Sequence, residues 1–314
     1  MKKLGFLLLA AAIFSICYLA FKQAPVVVWL PLGDIDVEVP YVPTPMEVVD
    51  EMLAMANVGP ADLLYDLGSG DGRIVITAAQ KWGTRGVGVE IDPELVRESR
   101  KNAEQAQVAD LVEFIQADLF KVDLGKATVV TLYLLPDLNL RLRPILLNTL
   151  PAGTRIVSHS WDMGEWEADE TRAVPSYLEW FSAEATRFSI VHFWVIPANV
   201  SGVWQWPERG GNSNQGQLCI TQHFQKAAGT FLGQAGTTPA VVEITGDRVR
   251  IRLEETAKGK NLWAEYQGRA AGDAIEGTVT FSDGSRQPWK ATRRPGTLTA
   301  LDRLSTQGGN GEPR

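Results

Sequence analysis

A chain of 314 residues, 45% hydrophobic and 21% charged, has ordinary globular composition and length for one large domain plus a smaller one, which excludes a mainly disordered protein. Its formal net charge of −7, from 30 basic and 37 acidic residues, argues against holding nucleic acid through phosphate contacts, so no nucleic-acid partner is expected. The two cysteines, Cys17 and Cys219, can build neither a disulfide framework nor a cysteine zinc site, and no metal is expected.

Met1-Lys2-Lys3 precedes an apolar stretch from Leu4 to Phe21, the pattern of an export signal or a signal-anchor over residues 1–24. Tyr18 and Lys22 stand three residues back from the two candidate cuts, where small residues belong, so an uncleaved membrane anchor fits better than a signal. Ile16 before Cys17 fits a lipoprotein signal poorly. Residues 25–45 read as a linker, extended from Pro40 to Pro45 because each residue before a proline is pushed out of the helical region. Thr44 is placed to cap the helix that follows, in which Val48, Val49, Met52, Leu53 and Ala56 recur at helical spacing.

From Asp62 strands and helices alternate: strand 63–66, a glycine loop, helix 73–82, strand 86–91, helix 93–107 and strand 112–116. Strand 128–134, helix 138–149 and strand 155–159 follow. This predicts an α/β domain over 46–198, with a parallel sheet covered on both faces and residues 188–196 as its last strand. Eight short runs rich in valine, threonine and tryptophan follow: 202–204, 219–224, 229–232, 241–244, 249–253, 262–266, 275–281 and 289–292. They predict a small all-β barrel or sandwich over 199–294. The polar, glycine-containing tail 295–314 is expected to be disordered.

The strongest chemical signal is Asp66-Leu67-Gly68-Ser69-Gly70-Asp71-Gly72-Arg73, where a strand runs into a glycine loop and then a helix. Gly68 and Gly70 permit a sharp turn and close approach to a ligand, and Gly72 lets helix and strand pack tightly. A dinucleotide site would offer this helix terminus to a pyrophosphate, but Asp66 and Asp71 would repel it. They suit a ligand with an ammonium group and a sulfonium centre. Glu90 ends the next strand just over twenty residues after the loop, where a carboxylate accepts from ribose hydroxyls. After the third strand, Asp118 and the neighbouring backbone at Leu119 are placed to read an adenine edge.

With Tyr41-Val42-Pro43-Thr44-Pro45, Gly88-Val89-Glu90, Asp118-Leu119-Phe120, Tyr133-Leu134-Leu135-Pro136 and Gly153-Thr154-Arg155-Ile156-Val157-Ser158, the run from Tyr41 to about Trp166 resembles the Rossmann-like class I methyltransferases. More narrowly, it resembles the membrane-associated protein-lysine methyltransferases that modify the ATP synthase c subunit and the adenine nucleotide carrier. The resemblance implies S-adenosyl-L-methionine as cofactor, under a flap of Tyr41, Thr44 and Pro45 and above Asp66, Gly68, Ser69, Gly70, Asp71, Gly72, Glu90, Asp118 and Leu119. It implies a lysine acceptor in a protein, possibly a membrane protein, received at Tyr133, with Asp137 steering its charge. It also implies a membrane segment at the N-terminus. Lys2, Lys3 and the terminal amine outweigh Lys22, which favours an external domain, whereas cofactor supply favours the cytoplasmic side.

Other readings stand beside these. The acceptor can instead be a small molecule or lipid held at the membrane, or the chain can be a binding protein acting through its β domain. Asp66 and Asp71 can serve as helix caps, Glu90 as a solvated strand end and Tyr133 as core packing. His159 is either a base or, more in keeping with a lone histidine, structural. Asp162, Glu165, Glu167, Asp169 and Glu170 read as a solvated acidic loop, and Trp204, Trp206, Trp263 and Trp289 as barrel core.

Overall fold

The computed structural model describes residues 41–176, 187–207, 215–233, 236–257 and 260–302. The expected anchor over 1–24, most of the linker and residues 303–314 of the tail lie outside them. Among the described residues no helix is long and apolar enough to cross a membrane.

The first helix, α1 (Met46–Met55), buries Val48, Val49, Met52 and Leu53 completely, each burial worth about 1.5–3 kcal/mol. Strand β1 (Leu63–Leu67), helix α2 (Arg73–Trp82), strand β2 (Arg85–Glu90), helix α3 (Pro93–Gln105) and strand β3 (Val112–Gln116) follow. Then come a single 3₁₀ turn (Leu119–Lys121), strand β4 (Val129–Leu132), helix α4 (Pro136–Thr149) and strand β5 (Arg155–His159). Asp92 starts α3 by accepting from the Glu94 amide at 2.7 Å, with Pro93 in the first turn.

Strands β6 (Glu170–Ser176) and β7 (Arg187–Val195) complete a seven-stranded sheet ordered β3-β2-β1-β4-β5-β7-β6. Strand β7 runs antiparallel to both β5 and β6, so it alone opposes the other six. This is the Rossmann-like arrangement of the class I methyltransferases. One apolar core, under α1, α2 and α3, covers one face of the sheet. A second, holding Leu142 and Leu146 of α4 with Trp166 and Trp194, covers the other. β6 was not anticipated, because Glu170–Ser176 is mostly exposed and contains Pro175, which suits a sheet edge and carries no alternating stripe.

The remaining strands are β8 (Gly202–Pro207), β9 (Gln215–His223), β10 (Lys226–Gly233), β11 (Gly236–Thr245), β12 (Arg248–Ala257), β13 (Lys260–Ala271), β14 (Ala274–Phe281) and β15 (Arg286–Arg293). They close into a barrel in the order β10-β11-β12-β13-β14-β15-β8-β9. Closure removes the exposed sheet edges that an open sandwich would keep. Trp204, Trp206, Tyr266 and Trp289 fill the interior, with Trp206 and Trp289 edge to face at 5.5 Å.

The barrel is seated on the sheet domain. Phe224, at the turn between β9 and β10, joins the second core of the sheet domain and stacks on Trp166 at 5.9 Å. Beside it, Lys226 pairs with Glu167 at 2.6 Å and the Ala198 amide donates to the Gly246 carbonyl at 2.8 Å. The acidic loop is therefore partly an interface, with Glu167 and Asp169 turned toward Lys226 and Gln225.

The expectation of a disordered tail is corrected for residues 295–302. Thr297 Oγ1 accepts from the Val203 amide at 3.0 Å, Thr299 exchanges hydrogen bonds with Ser201 and accepts from Asn199 Nδ2 at 2.7 Å, and Leu301 is buried against Phe224, whose amide donates to its carbonyl at 3.0 Å. The segment supplies acceptors to backbone and side-chain donors at the barrel end that would otherwise go unmatched.

Candidate active site

The site lies at the C-terminal ends of the parallel strands, where ligands collect in open α/β sheets. Gly68, Gly70 and Gly72 have φ of 81°, 52° and 81°, in the left-handed region. Space excludes side chains there as well. A Cβ on Gly68 would meet Leu134 Cδ2 at 2.8 Å, one on Gly70 the Tyr41 ring at 2.3 Å, and one on Gly72 the Phe114 ring at 2.6 Å. The loop is pinned to β2, since the Gly68 and Ser69 amides donate to the Val89 carbonyl at 2.8 and 3.0 Å. Glu90 is buried, and its Oε2 accepts from the Gly70 amide at 2.9 Å while Oε1 takes the Ile91 and Asp92 amides.

Asp66 sits on β1 opposite Thr131 of β4, whose hydroxyl donates to Oδ1 at 2.7 Å. Burial pushes its carboxyl up to about 7 against the pull of that hydrogen bond, and the charges of Glu90 and Asp71 push the same way. Asp71 differs from the expectation of a free carboxylate facing a cation. Arg73 grips it through Nε at 3.0 Å and Nη2 at 2.7 Å, and Oδ1 also takes the Arg73 amide at 3.2 Å. Burial would raise the Asp71 carboxyl, but the Arg73 hydrogen bonds and charge outweigh it and hold it below the usual range. Asp71 thus serves the start of α2 and its charge is matched within the loop.

The flap residues converge on the same loop. The Tyr41 ring lies on Gly70, and its phenol is raised to about 12 by burial and by the nearby Asp71 charge. The Thr44 carbonyl accepts from Arg73 Nη1 at 2.8 Å. The N-cap of α1 is Pro45, with no side-chain cap, so the expectation that Thr44 caps this helix is corrected. Its hydroxyl instead lies 3.5 Å from His159 Nδ1. Pro45 contributes its carbonyl, which takes the Val48 and Val49 amides at 3.0 Å.

Asp118 caps the 3₁₀ turn by accepting from the Phe120 amide at 3.0 Å, and pairs with Lys121 at 3.2 Å. The hydrogen bond from the Phe120 amide above all, with Lys121 and Arg141 adding to it, outweighs desolvation and holds its carboxyl below the usual range. Leu119 packs against the second core.

On the acceptor side, Tyr133 follows β4 and packs against His159, at the end of β5, with ring centroids 3.9 Å apart and the planes tilted by 32°. His159 is 2% exposed, and burial lowers it to about 4, so it is neutral at physiological pH. Burial also raises the Tyr133 phenol. Leu134 is buried, packed against Gly68. Asp137 is exposed in the first turn of α4. Asn139, which sequence reasoning missed, is fully buried and donates to Ser158 Oγ at 3.1 Å and to the Trp161 carbonyl at 3.1 Å, fixing the chain beyond β5. Thr131 and Arg73 were missed too. Arg73 follows Asp71 by two residues, and Thr131 faces Asp66 only once strand register is known.

The ANTKMT methyltransferase domain family matches residues 66–170. A protein-lysine N-methyltransferase of Saccharolobus islandicus is 46% identical over 133 residues, covering 42% of this chain and 83% of the archaeal protein. The chain belongs to this methyltransferase family. The human ATP synthase c-subunit lysine N-methyltransferase is 33% identical over 186 residues, 59% of this chain and 69% of the human enzyme. A solved structure described as an RNA methyltransferase from Salinibacter ruber, in complex with S-adenosyl-L-homocysteine, is 56% identical, with a TM-score of 0.45, over 51% of this chain and 96% of that one. As a member of the ANTKMT methyltransferase family, the chain is an S-adenosylmethionine-dependent methyltransferase. The family match ends at residue 170, so the barrel lies outside it.

Proposed function

We propose that this enzyme methylates the side-chain amine of a lysine in a protein, and that its N-terminal apolar segment, residues 4–21, holds it at a membrane beside that acceptor. Anchoring raises the effective concentration of a membrane-held partner. We place the catalytic domain on the side of the membrane where the cofactor is made. One juxtaposition carries the reading: a carboxylate-bearing glycine loop and a neutral aromatic pair, Tyr133 and His159, share the C-terminal ends of the central strands β1, β4 and β5.

The residues present fit S-adenosylmethionine. Ser69 Oγ is buried in the loop without a hydrogen-bond partner among the described residues, and the left-handed glycines leave backbone where side chains would stand. Asp66 would face the amino-acid end, Glu90 the ribose hydroxyls, and Asp118 with the Leu119 backbone the adenine, while Tyr41, Thr44 and Pro45 cover them and Gly68, Gly70 and Gly72 give the loop its shape. When bound, the cofactor supplies an electrophilic methyl group on a sulfonium sulfur. The chain's own task is alignment and desolvation of the amine. Asp137 attracts the charged lysine from solvent, and the Tyr133–His159 wall, uncharged at neutral pH, favours the amine after its proton has left to water. A dedicated base is not needed for an in-line displacement.

The test incubates membranes with methyl-labelled cofactor and either the wild-type enzyme or an Asp66→Ala, Glu90→Ala variant. Label that requires the intact site and is recovered as methyllysine from a protein band supports the proposal. Label in an organic extract or in RNA identifies a different acceptor and overturns it.

A further inference from the structure

Thr44 touches both halves of the site. Its carbonyl accepts from Arg73, which is locked to Asp71 beside the glycine loop, and its hydroxyl faces His159, whose ring packs tilted against Tyr133. The residue is 4% exposed, so water competes little for either group. The hydroxyl is also unused for the local role its position suggests, because α1 has no side-chain cap.

We infer, resting on the function proposed above, that Thr44 and His159 are positioning residues that couple cofactor binding to the shape of the lysine subsite. The coupling runs through rigid contacts. Tyr41, three residues before Thr44, lies directly on Gly70, so any movement of the glycine loop on cofactor binding moves the flap. Arg73 carries the same movement to the Thr44 carbonyl. At the other end, His159 is fixed by β5, whose register with β4 is set from Val129↔Arg155 to Leu132↔Ser158. Tyr133 directly follows that pairing, and its ring can change orientation only by leaving the imidazole face or taking it along. Closing the flap therefore orders the Thr44 hydroxyl against His159 and holds the Tyr133 ring in one orientation. Coupling of this kind is reciprocal, so an acceptor that packs on Tyr133 tightens cofactor binding by the factor with which the cofactor tightens acceptor binding.

The contact can be removed from either side. Thr44→Val keeps the shape and loses the hydroxyl. His159→Phe keeps a ring against Tyr133 and loses Nδ1. Thr44→Ser restores the hydroxyl. Calorimetry with S-adenosylhomocysteine is the primary readout, because it needs no acceptor. Each single variant is expected to weaken binding about two- to tenfold, the range for one hydrogen bond, with the double variant no weaker than the poorer single and Thr44→Ser near wild type. Unchanged affinities, or two losses that multiply, overturn the inference. In labelling assays the same variants are expected to raise KM for the protein acceptor with kcat changed less. A wild-type enzyme that labels no lysine overturns the functional reading alone, and the calorimetric comparison still decides the coupling.

Discussion

The hydroxyl of Thr131 donates to Oδ1 of Asp66 across the β1–β4 pairing at 2.7 Å, with Asp66 2% exposed and Thr131 fully buried. One neutral donor does not offset the burial of a carboxylate, and Glu90 and Asp71 add like charge, so Asp66 titrates at about 7. Cofactor affinity is expected to fall as pH drops below about 7, because protonated Asp66 offers no charge to an ammonium group. For stability the sign is opposite. The folded value lies above the unfolded one of about 3.9, so the contribution is full below that unfolded value and is lost as pH rises through about 7. Asp66→Asn should therefore raise the melting temperature of the ligand-free enzyme at pH 8 and leave it nearly unchanged at pH 4. It should also weaken cofactor binding about ten- to hundredfold, as loss of a charged hydrogen bond does, and flatten the pH profile. Calorimetry across pH 5.5 to 8.5 checks both; a profile as steep in Asp66→Asn as in wild type assigns the titration to another group.

Gly70→Ala combines a φ of +52° with a Cβ 2.3 Å from the Tyr41 ring. The backbone term is about 1–2 kcal/mol, and the ring must also leave the loop. Gly83→Ala provides the control, since Gly83 has a φ of +67° but, among the described residues, nothing within 4 Å of an added Cβ. Gly70→Ala is expected to lose at least as much stability in thermal melts as Gly83→Ala, and only Gly70→Ala loses cofactor affinity, by tenfold or more (~1.4 kcal/mol). Equal affinities in the two would show that the flap contact is not needed for binding.

Phe224 supplies the apolar anchor between barrel and sheet domain, stacked on Trp166 with the Arg143 guanidinium 5.3 Å from its ring centre. Phe224→Ala is expected to cost about 3–5 kcal/mol, enough to separate the unfolding of the two domains into distinct calorimetric transitions. Proteolysis should then cut between Pro197 and Ser201, the stretch joining them. A single transition at the wild-type temperature would mean that the Lys226–Glu167 pair and the Ala198–Gly246 hydrogen bond suffice.

Much of this architecture could be read from the chain. Strands β1 to β5 and the helices between them follow from apolar runs broken at glycine and proline, and eight runs in the C-terminal third correspond to the eight barrel strands. The loop from Asp66 to Arg73 announced its conformation because left-handed backbone is the particular province of glycine. What stayed hidden depends on partners distant in sequence. Nothing local to Thr44 shows that its hydroxyl turns from the helix it precedes to a histidine 115 residues away. Asp71 looked available to a ligand because a carboxylate's charge is visible in the sequence and its pairing with Arg73 is not. Strand β6 has no stripe to betray it, since an edge strand with an exposed face needs only its hydrogen-bonding neighbour.

The tail 295–302 misled for a related reason: its composition is polar, and polar segments are read as solvated, but here the polar groups are the attachment. Thr297 fits against Gly202, where a Cβ would lie 2.7 Å from its hydroxyl oxygen, and Thr299 and Leu301 close the barrel end next to Phe224. Ending the chain after Arg294 removes the acceptors for the Val203 amide, the Asn199 amide group and the Phe224 amide, and uncovers an apolar surface beside the domain joint. The Phe224 amide is buried, and a buried donor left unmatched costs about 1–3 kcal/mol, so the truncated enzyme should melt several degrees lower. A chain ended after Asp302 keeps all of these contacts and provides the reference melt. Methyl transfer tested below both melting temperatures should survive loss of residues 295–302, because their hydrogen bonds go to the barrel end; loss of activity from the chain ended after Arg294 alone would show that the barrel end acts on the site through the Phe224 joint.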